Sequence, residues 1–330
     1  MKRSIGIIAI LMIVAAIVAA GCTTTSANNP TPAGSTAAPA ATEKITISGA
    51  FALYPMMVKW AEEYNKVNPN VKIEVSAGGA GKGMTDALSG MVDLGMVSRD
   101  ISADEAKQGA VWVAVTKDAV VVTASSDNPV LKDLQAKGIK QSTFKQIFVN
   151  ESVRNWGEVA GRADVTDKVN VYTRSDACGA ADVWAKYLGY KQEDLKGVGV
   201  FGDPGLADAV KSDRLGIGYN NIGFAYDAAT GKPIEGIAII PLDQNGDGQI
   251  SADEQVYATR DDIVSAINTG KYPSPPAREL NIVTKGSFSG PTEKFVRWIL
   301  TDGQQYVNEA GYIALPQERI NEQINKLPAK

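Results

Sequence analysis

The chain has 330 residues, no histidine, and 33 Lys and Arg against 37 Asp and Glu, a net charge of −4. The missing imidazole excludes histidine-based triads and the commonest transition-metal ligand, and the mild acidity gives no basic footprint for nucleic acid. With 44% apolar residues the chain is long enough for two cores, because a single core stops growing beyond about 250 to 300 residues.

Met1-Lys2-Arg3 is basic and leads into an apolar run from Ile5 to Ala20 that ends in Ala19-Ala20-Gly21-Cys22. This order predicts a secretory signal over 1–21 with a small-residue cleavage site, and acylation of Cys22 as the mature N-terminus. Residues 22–43 are mostly Thr, Ser, Ala, Asn and Pro, which cannot repay the entropy of folding and predict a tether. The expected placement is therefore extracytoplasmic, on the outer face of the cell membrane, held by lipidated Cys22. Only Cys178 remains in the mature chain besides Cys22, so no internal disulfide is expected.

From Lys44 onward strands and helices alternate. Ile45 and Ile47 read as a strand, Gly49-Ala50-Phe51 as a turn into a helix with Pro55 in its first turn, and Met57, Trp60, Ala61 and Tyr64 as its buried face. A strand at Val71 to Val75 leads through Gly78-Gly79-Ala80-Gly81-Lys82-Gly83 into a helix over Met84 to Met91. Strands are expected at Asp93 to Val97 and Trp112 to Thr123. Beyond Ser125 the pattern predicts a helix through Phe144 to Phe148, a strand at Val169 to Thr173, and helices at Ala181 to Leu188 and Leu206 to Lys211. A strand at Leu280 to Thr284 and helices at Thr292 to Leu300 and Gln304 to Ala310 follow. The alternation argues an α/β fold with a largely parallel sheet. The expected division is one lobe of 44–124 plus 279–330 and a second of 125–278, with two crossover strands forming a hinge.

Three strand-to-helix junctions concentrate small residues: Ser48 to Phe51, Ala77 to Gly83, and Arg174-Ser175-Asp176-Ala177-Cys178-Gly179-Ala180. Unpaired amides and the positive end of the helix dipole make each a candidate anion site, and Arg174 adds a cation. Arg99 is either a further ligand or one half of a solvated ion pair. Asp176 is placed to pair with Arg174 or to meet a cationic part of a ligand. Cys178 reads as a small packing residue, since no histidine is present to activate it.

These segments, together with Gln146 to Trp156, Leu215 to Tyr219 and Gly303 to Tyr312, resemble the phosphate-binding periplasmic proteins of ABC importers over nearly all of Lys44 to Pro316. The resemblance implies a two-lobed periplasmic-binding-protein fold of type II that closes around its ligand. It also implies a non-enzymatic solute-binding lipoprotein, a monomer that delivers a small anion to a membrane permease. Carried onto this sequence, the ligand-binding residues are Ala50, Phe51, Ala80, Gly81, Ser98, Arg99, Arg174, Asp176, Cys178, Gly179 and Ala180. Where the family offers hydroxyls, this chain has Ala50-Phe51-Ala52, Ala80 and Cys178-Gly179-Ala180; where some members have an aspartate, it has Ser98-Arg99. A net hydrogen bond to a charged group contributes about 1.5 to 3 kcal/mol, so these losses weaken a phosphate site and favour a larger, softer or partly apolar anion.

Asp243-Gln244-Asn245-Gly246-Asp247-Gly248-Gln249-Ile250-Ser251-Ala252-Asp253-Glu254 fits the twelve-residue calcium loop as an insertion at 243–254. Asp243, Asn245, Asp247, Gln249, Ser251 and Glu254 are the expected ligands of a structural calcium. This loop also supports the competing expectation of a calcium-dependent surface adhesion, binding or sensor module.

Overall fold

The structure, a computed structural model, describes residues 43–329. The expected signal, the lipidated Cys22 and the tether up to residue 42 lie outside the described residues. Among the described residues no helix is long and apolar enough to cross a membrane.

Strand β1 (Glu43–Gly49) pairs in parallel with β2 (Val71–Ala77) and β3 (Leu94–Val97). Helices α1 (Tyr54–Val67) and α2 (Ala80–Ser89) connect them. Pro55 enters the first turn of α1, where a missing N–H costs nothing, and Met56, Met57, Trp60, Ala61 and Tyr64 form the buried stripe. A short helix α3 (Ala103–Lys107), with the Ser102–Glu105 capping box, leads into β4 (Ala110–Ser125).

β4 is long enough to serve both lobes. Its residues Ala110 to Ala119 pair antiparallel with β11 (Ala277–Lys285), and its residues Val120 to Ser125 pair with β8 (Gly216–Asn221) and β9 (Ile237–Ile240). The change of partner therefore falls between Ala119 and Val120, earlier than Ser125. The chain returns at Ala277 through the cis bonds Ser274–Pro275 and Pro275–Pro276. Between crossing and return lie α4 (Leu131–Lys137), β5 (Ile139–Lys140), α5 (Gln141–Phe148), α6 (Trp156–Ala160), β6 (Asn170–Arg174), α7 (Gly179–Leu188), β7 (Val198–Val200), α8 (Gly202–Ser212), β10 (Leu242–Asp243) and α9 (Arg260–Asn268). After β11 come α10 (Gly290–Leu300) and α11 (Gln317–Ile324).

The main sheet runs β2-β1-β3-β11-β4-β8-β6-β7 with β9 beside β4. It is parallel at both ends and antiparallel in the middle, because the two connecting strands run in opposite directions. The largely parallel expectation thus holds for the outer strands and fails for β4 and β11. The expected helix over Gln304 to Ala310 is instead a tight 3-10 turn, Asp302–Tyr306, pinned where the Trp60 indole donates to the Gly303 carbonyl at 2.8 Å.

Two hydrophobic cores result. One joins α1, β1, β3 and the first half of β4 to β11, α10 and α11, with Trp60, Met96, Phe295 and Ile299 fully buried. The other is built on Phe144, Phe148, Trp184 and Tyr219, whose rings stack edge-on or offset at 5.2 to 6.0 Å, a geometry that suits the ring quadrupoles.

Candidate functional site

The expected junctions do converge between the lobes. Gly81 at the start of α2 donates its amide to the Ala177 carbonyl of the Arg174 turn at 3.0 Å. Gly79 precedes it with φ +92°, and a Cβ there would stand 2.8 Å from Asp176 Oδ2. Only glycine fits, both for the backbone and for the carboxylate facing it. Gly179 opens α7 so close to Ser98 that a Cβ would collide with the Ser98 carbonyl and hydroxyl oxygens. Phe51 lies edge-on to Phe201 with ring centroids 5.9 Å apart, and the Arg174 guanidinium sits 5.6 Å from the Phe51 ring centre. The turns after β1, β2 and β6 therefore meet those after β3 and β7.

The electrostatics are unusual for an anion site. Arg174, whose side chain is fully buried, grips Asp176 with two bonds, Nε at 2.8 Å and Nη2 at 2.6 Å, and gives Nη1 to Asp203 at 2.7 Å. Asp203 begins α8 and is itself buried; it also accepts from Asn221 Nδ2 at 2.5 Å. Burial works against the Arg174 charge, but Asp203, Cys178 and Asp176 override it and raise its pKa. Burial likewise raises the Asp203 pKa despite Arg174 and Arg278. Nothing in the sequence marks Asp203, since Gly202-Asp203-Pro204 reads only as a helix start.

Arg278 on β11 is the second buried cation, and nothing in the local sequence marked it. Nε donates to the Ser98 carbonyl at 3.1 Å, Nη2 donates to Asn221 Oδ1, and Asp118 Oδ2 lies 3.6 Å from Nη2. Both Arg278 Nη1 and Asp118 Oδ2 are buried without a hydrogen-bond partner. Burial outweighs Arg278 and lifts the Asp118 pKa to about 6. The cleft floor thus carries Arg174 and Arg278 against Asp118, Asp176 and Asp203.

The remaining expected ligands are largely occupied. Arg99 makes a two-bond pair with Glu105, at 3.0 and 2.6 Å, and gives Nη1 to the Asp100 carbonyl. Ala50, Ala80 and Ala180 are buried and offer backbone only. Cys178 caps α7, its Sγ accepting from the Ala181 amide at 3.4 Å, and burial pushes its thiol up to about 12, which suits packing and not nucleophilic chemistry.

In the 243–254 loop the side chains turn inward onto their own backbone. Asp243 accepts from the amides of Gly246 and Gly248, Asp247 from Gln249, and Glu254 from Gln244 and Ser251, at 2.7 to 3.0 Å. Asn245 Oδ1 accepts from Asp247. Among the described residues no group of three or more His, Cys, Asp or Glu is placed to hold a metal ion.

Residues 34–302 match the model of the PBP superfamily domain, and the chain belongs to that superfamily. Phosphate-binding protein PstS of Bacillus subtilis is 26% identical over 292 residues, covering 86% of this chain and 85% of the relative. Phosphate-binding protein PstS of Pseudomonas aeruginosa is 28% identical over 309 residues, covering 84% and 85%. A Clostridium perfringens protein solved with bound phosphate superposes with a TM-score of 0.66 at 23% identity, covering 83% of this chain and all of that one, a likeness of fold.

Proposed function

We propose that this chain is the extracytoplasmic solute-binding component of an ABC importer, a lipid-anchored monomer that traps a small anion between its lobes and presents it to a membrane permease. It binds and does no chemistry. The observation that carries this reading is the meeting of two helix N-termini, α2 and α7, around buried Arg174 across the cleft. The names of the Bacillus and Pseudomonas relatives support the same class.

The ligand follows from what competes for Arg174. Asp176 and Asp203 already supply three charge-assisted acceptors to it, and the usual hydroxyl positions are Ala50, Ala80, Cys178 and Ala180. A phosphate-like oxyanion must displace Asp176 to gain the guanidinium, which favours a ligand with apolar or cationic parts that meet Phe51 and the freed carboxylate, an organic anion over inorganic phosphate. Calorimetric titration of the full chain with phosphate tests this. Weak or absent binding is expected; submicromolar phosphate binding abolished by Arg174→Met refutes the organic-anion reading while supporting the transport class.

Calcium in the 243–254 loop is a separate proposal, supported by the residue pattern alone. Loading would exchange backbone N–H partners of Asp243, Asp247 and Glu254 for the ion. A melting-temperature rise with millimolar calcium, lost in Glu254→Gln, supports it; an unchanged melting temperature rejects it.

A further inference from the structure

The chain crosses between lobes on β4 and returns on β11, and one peptide unit at the crossing is held from both sides by the return segment. Val120, the first residue of β4 beyond its pairing with β11, donates its amide to the Pro276 carbonyl at 3.3 Å. Its carbonyl accepts from the Tyr272 hydroxyl at 2.6 Å, and Tyr272 is buried. Such a bond fixes the tyrosine ring as well as its partner, because breaking it leaves both polar groups away from water.

The 243–254 loop is fastened to this point by two routes. The buried route runs through Tyr257, just past Glu254. The Tyr257 hydroxyl accepts from the Leu242 amide at 3.1 Å, which ties the two ends of the loop together, and its ring stands edge-on to the Tyr272 ring with centroids 6.2 Å apart. The exposed route runs through Lys271: Gln244 Nε2 donates to the Lys271 carbonyl at 2.9 Å, and Asp253 accepts from Lys271 Nζ at 2.8 Å. Exposed ion pairs contribute little, so the two tyrosines make the firmer connection. Inside the loop, buried Glu254 gathers the Gln244 and Ser251 amides at 2.7 and 3.0 Å. The state of this one carboxylate therefore sets where Gln244 and Tyr257 stand.

We propose that Tyr272 is a positioning residue of the hinge, and that through Tyr257 and Tyr272 the 243–254 loop governs how far the two lobes open. Loosening the loop shifts the Tyr257 ring, Tyr272 loses its hold on Val120, and the connecting strands gain freedom where the lobes pivot. The inference goes beyond the solute-binding reading, and it stands whether or not the loop takes calcium.

Hydrogen exchange of the full chain, read by mass spectrometry, is compared among wild type, Glu254→Gln, Tyr272→Phe and the double variant, with small-angle scattering on the same samples. Each single variant is expected to speed exchange about fivefold in peptides spanning 117–124 and 277–281 and to leave 43–49 and 71–77 unchanged. Each also enlarges the radius of gyration, which a merely structural role would not do. The double variant matches the larger single effect, since both substitutions act on one connection. Faster exchange confined to 243–254, or effects that add in the double variant, overturns the coupling. Faster exchange throughout the second lobe, α5 and α7 included, overturns it too, because the loop then supports only the fold of that lobe. Melting curves are recorded first; if Glu254→Gln does not fold, Ser251→Ala, which removes the hydroxyl bond to Glu254, replaces it under the same outcomes.

Discussion

Replacing Asp118 by Asn isolates the energetics of the cleft floor. Asp118 is buried, its Oδ2 has no hydrogen-bond partner, and Arg278 at 3.6 Å is too far for a direct bond. Burial raises its pKa from 3.8 to about 6; Arg278 and the Ala119 amide oppose the rise, and Asp203 adds to it. Because the folded pKa is raised, the group's stabilising contribution is full below pH 3.8 and is lost as pH climbs through 6. The whole shift corresponds to about 3 kcal/mol, of which about 2 kcal/mol falls between about pH 4.5 and about pH 7.5. Asn keeps the shape and has no proton to lose. Urea unfolding of both proteins at the two pH values therefore gives a wild-type stability that falls, relative to Asp118→Asn, by about 2 kcal/mol on going to the higher pH. A constant difference, or one that grows in favour of the wild type, refutes the claim that desolvation outweighs the Arg278 charge.

Removing Arg174 as Arg174→Met leaves Asp176 and Asp203 buried without their cation and lowers unfolding free energy by about 3 to 5 kcal/mol, read by urea denaturation. Gly179→Ala drives a methyl group into Ser98 across the cleft, so the lobes stand further apart; small-angle scattering shows a larger radius of gyration, while the melting temperature changes little because each core is untouched. Asp176→Asn removes the charge that competes for Arg174 and keeps the Gly202 amide contact, so phosphate affinity rises, by about tenfold for each 1.4 kcal/mol of competition relieved, in a calorimetric titration.

Most of the scaffold was legible because it is local. Pro55 in a first turn, the buried stripe Met57, Trp60 and Tyr64, and glycines at strand-to-helix turns each declare themselves within a few residues. Arg174 and Asp176 were visible for the same reason, two positions apart after a strand. Asp203, Asn221, Asp118 and Arg278 were not: they are 29, 57 and 180 residues from the atoms they bond or lie far along the crossing strands, and isolated charges carry no periodicity. The antiparallel centre of the sheet was hidden likewise, since the direction in which β11 returns depends on the connection and not on its own side chains. The cleft can be anticipated from the turns that face it, whereas Asp118, Asp203 and Arg278 on its floor are single charges that look solvent-facing in the sequence until their distant partners are known.

That floor decides how the site can work. In a cleft built only of helix N-termini and an arginine, any small oxyanion finds donors waiting. Here the α2 terminus already faces the Asp176 carboxylate, and the Arg174 guanidinium is spent on the same carboxylate and on Asp203. The protein carries its own anion where the proposed solute would sit. A ligand therefore gains only the difference between its contacts and those of Asp176, and that difference is small for an ion that offers nothing but oxygens. It grows for a ligand that fills the space by Phe51 and Phe201 or brings a positive group for Asp176 once it is displaced. The proposed discrimination against bare phosphate rests on two carboxylates and missing hydroxyls together, and restoring a hydroxyl at Ala180 without relieving Asp176 leaves the competition in place.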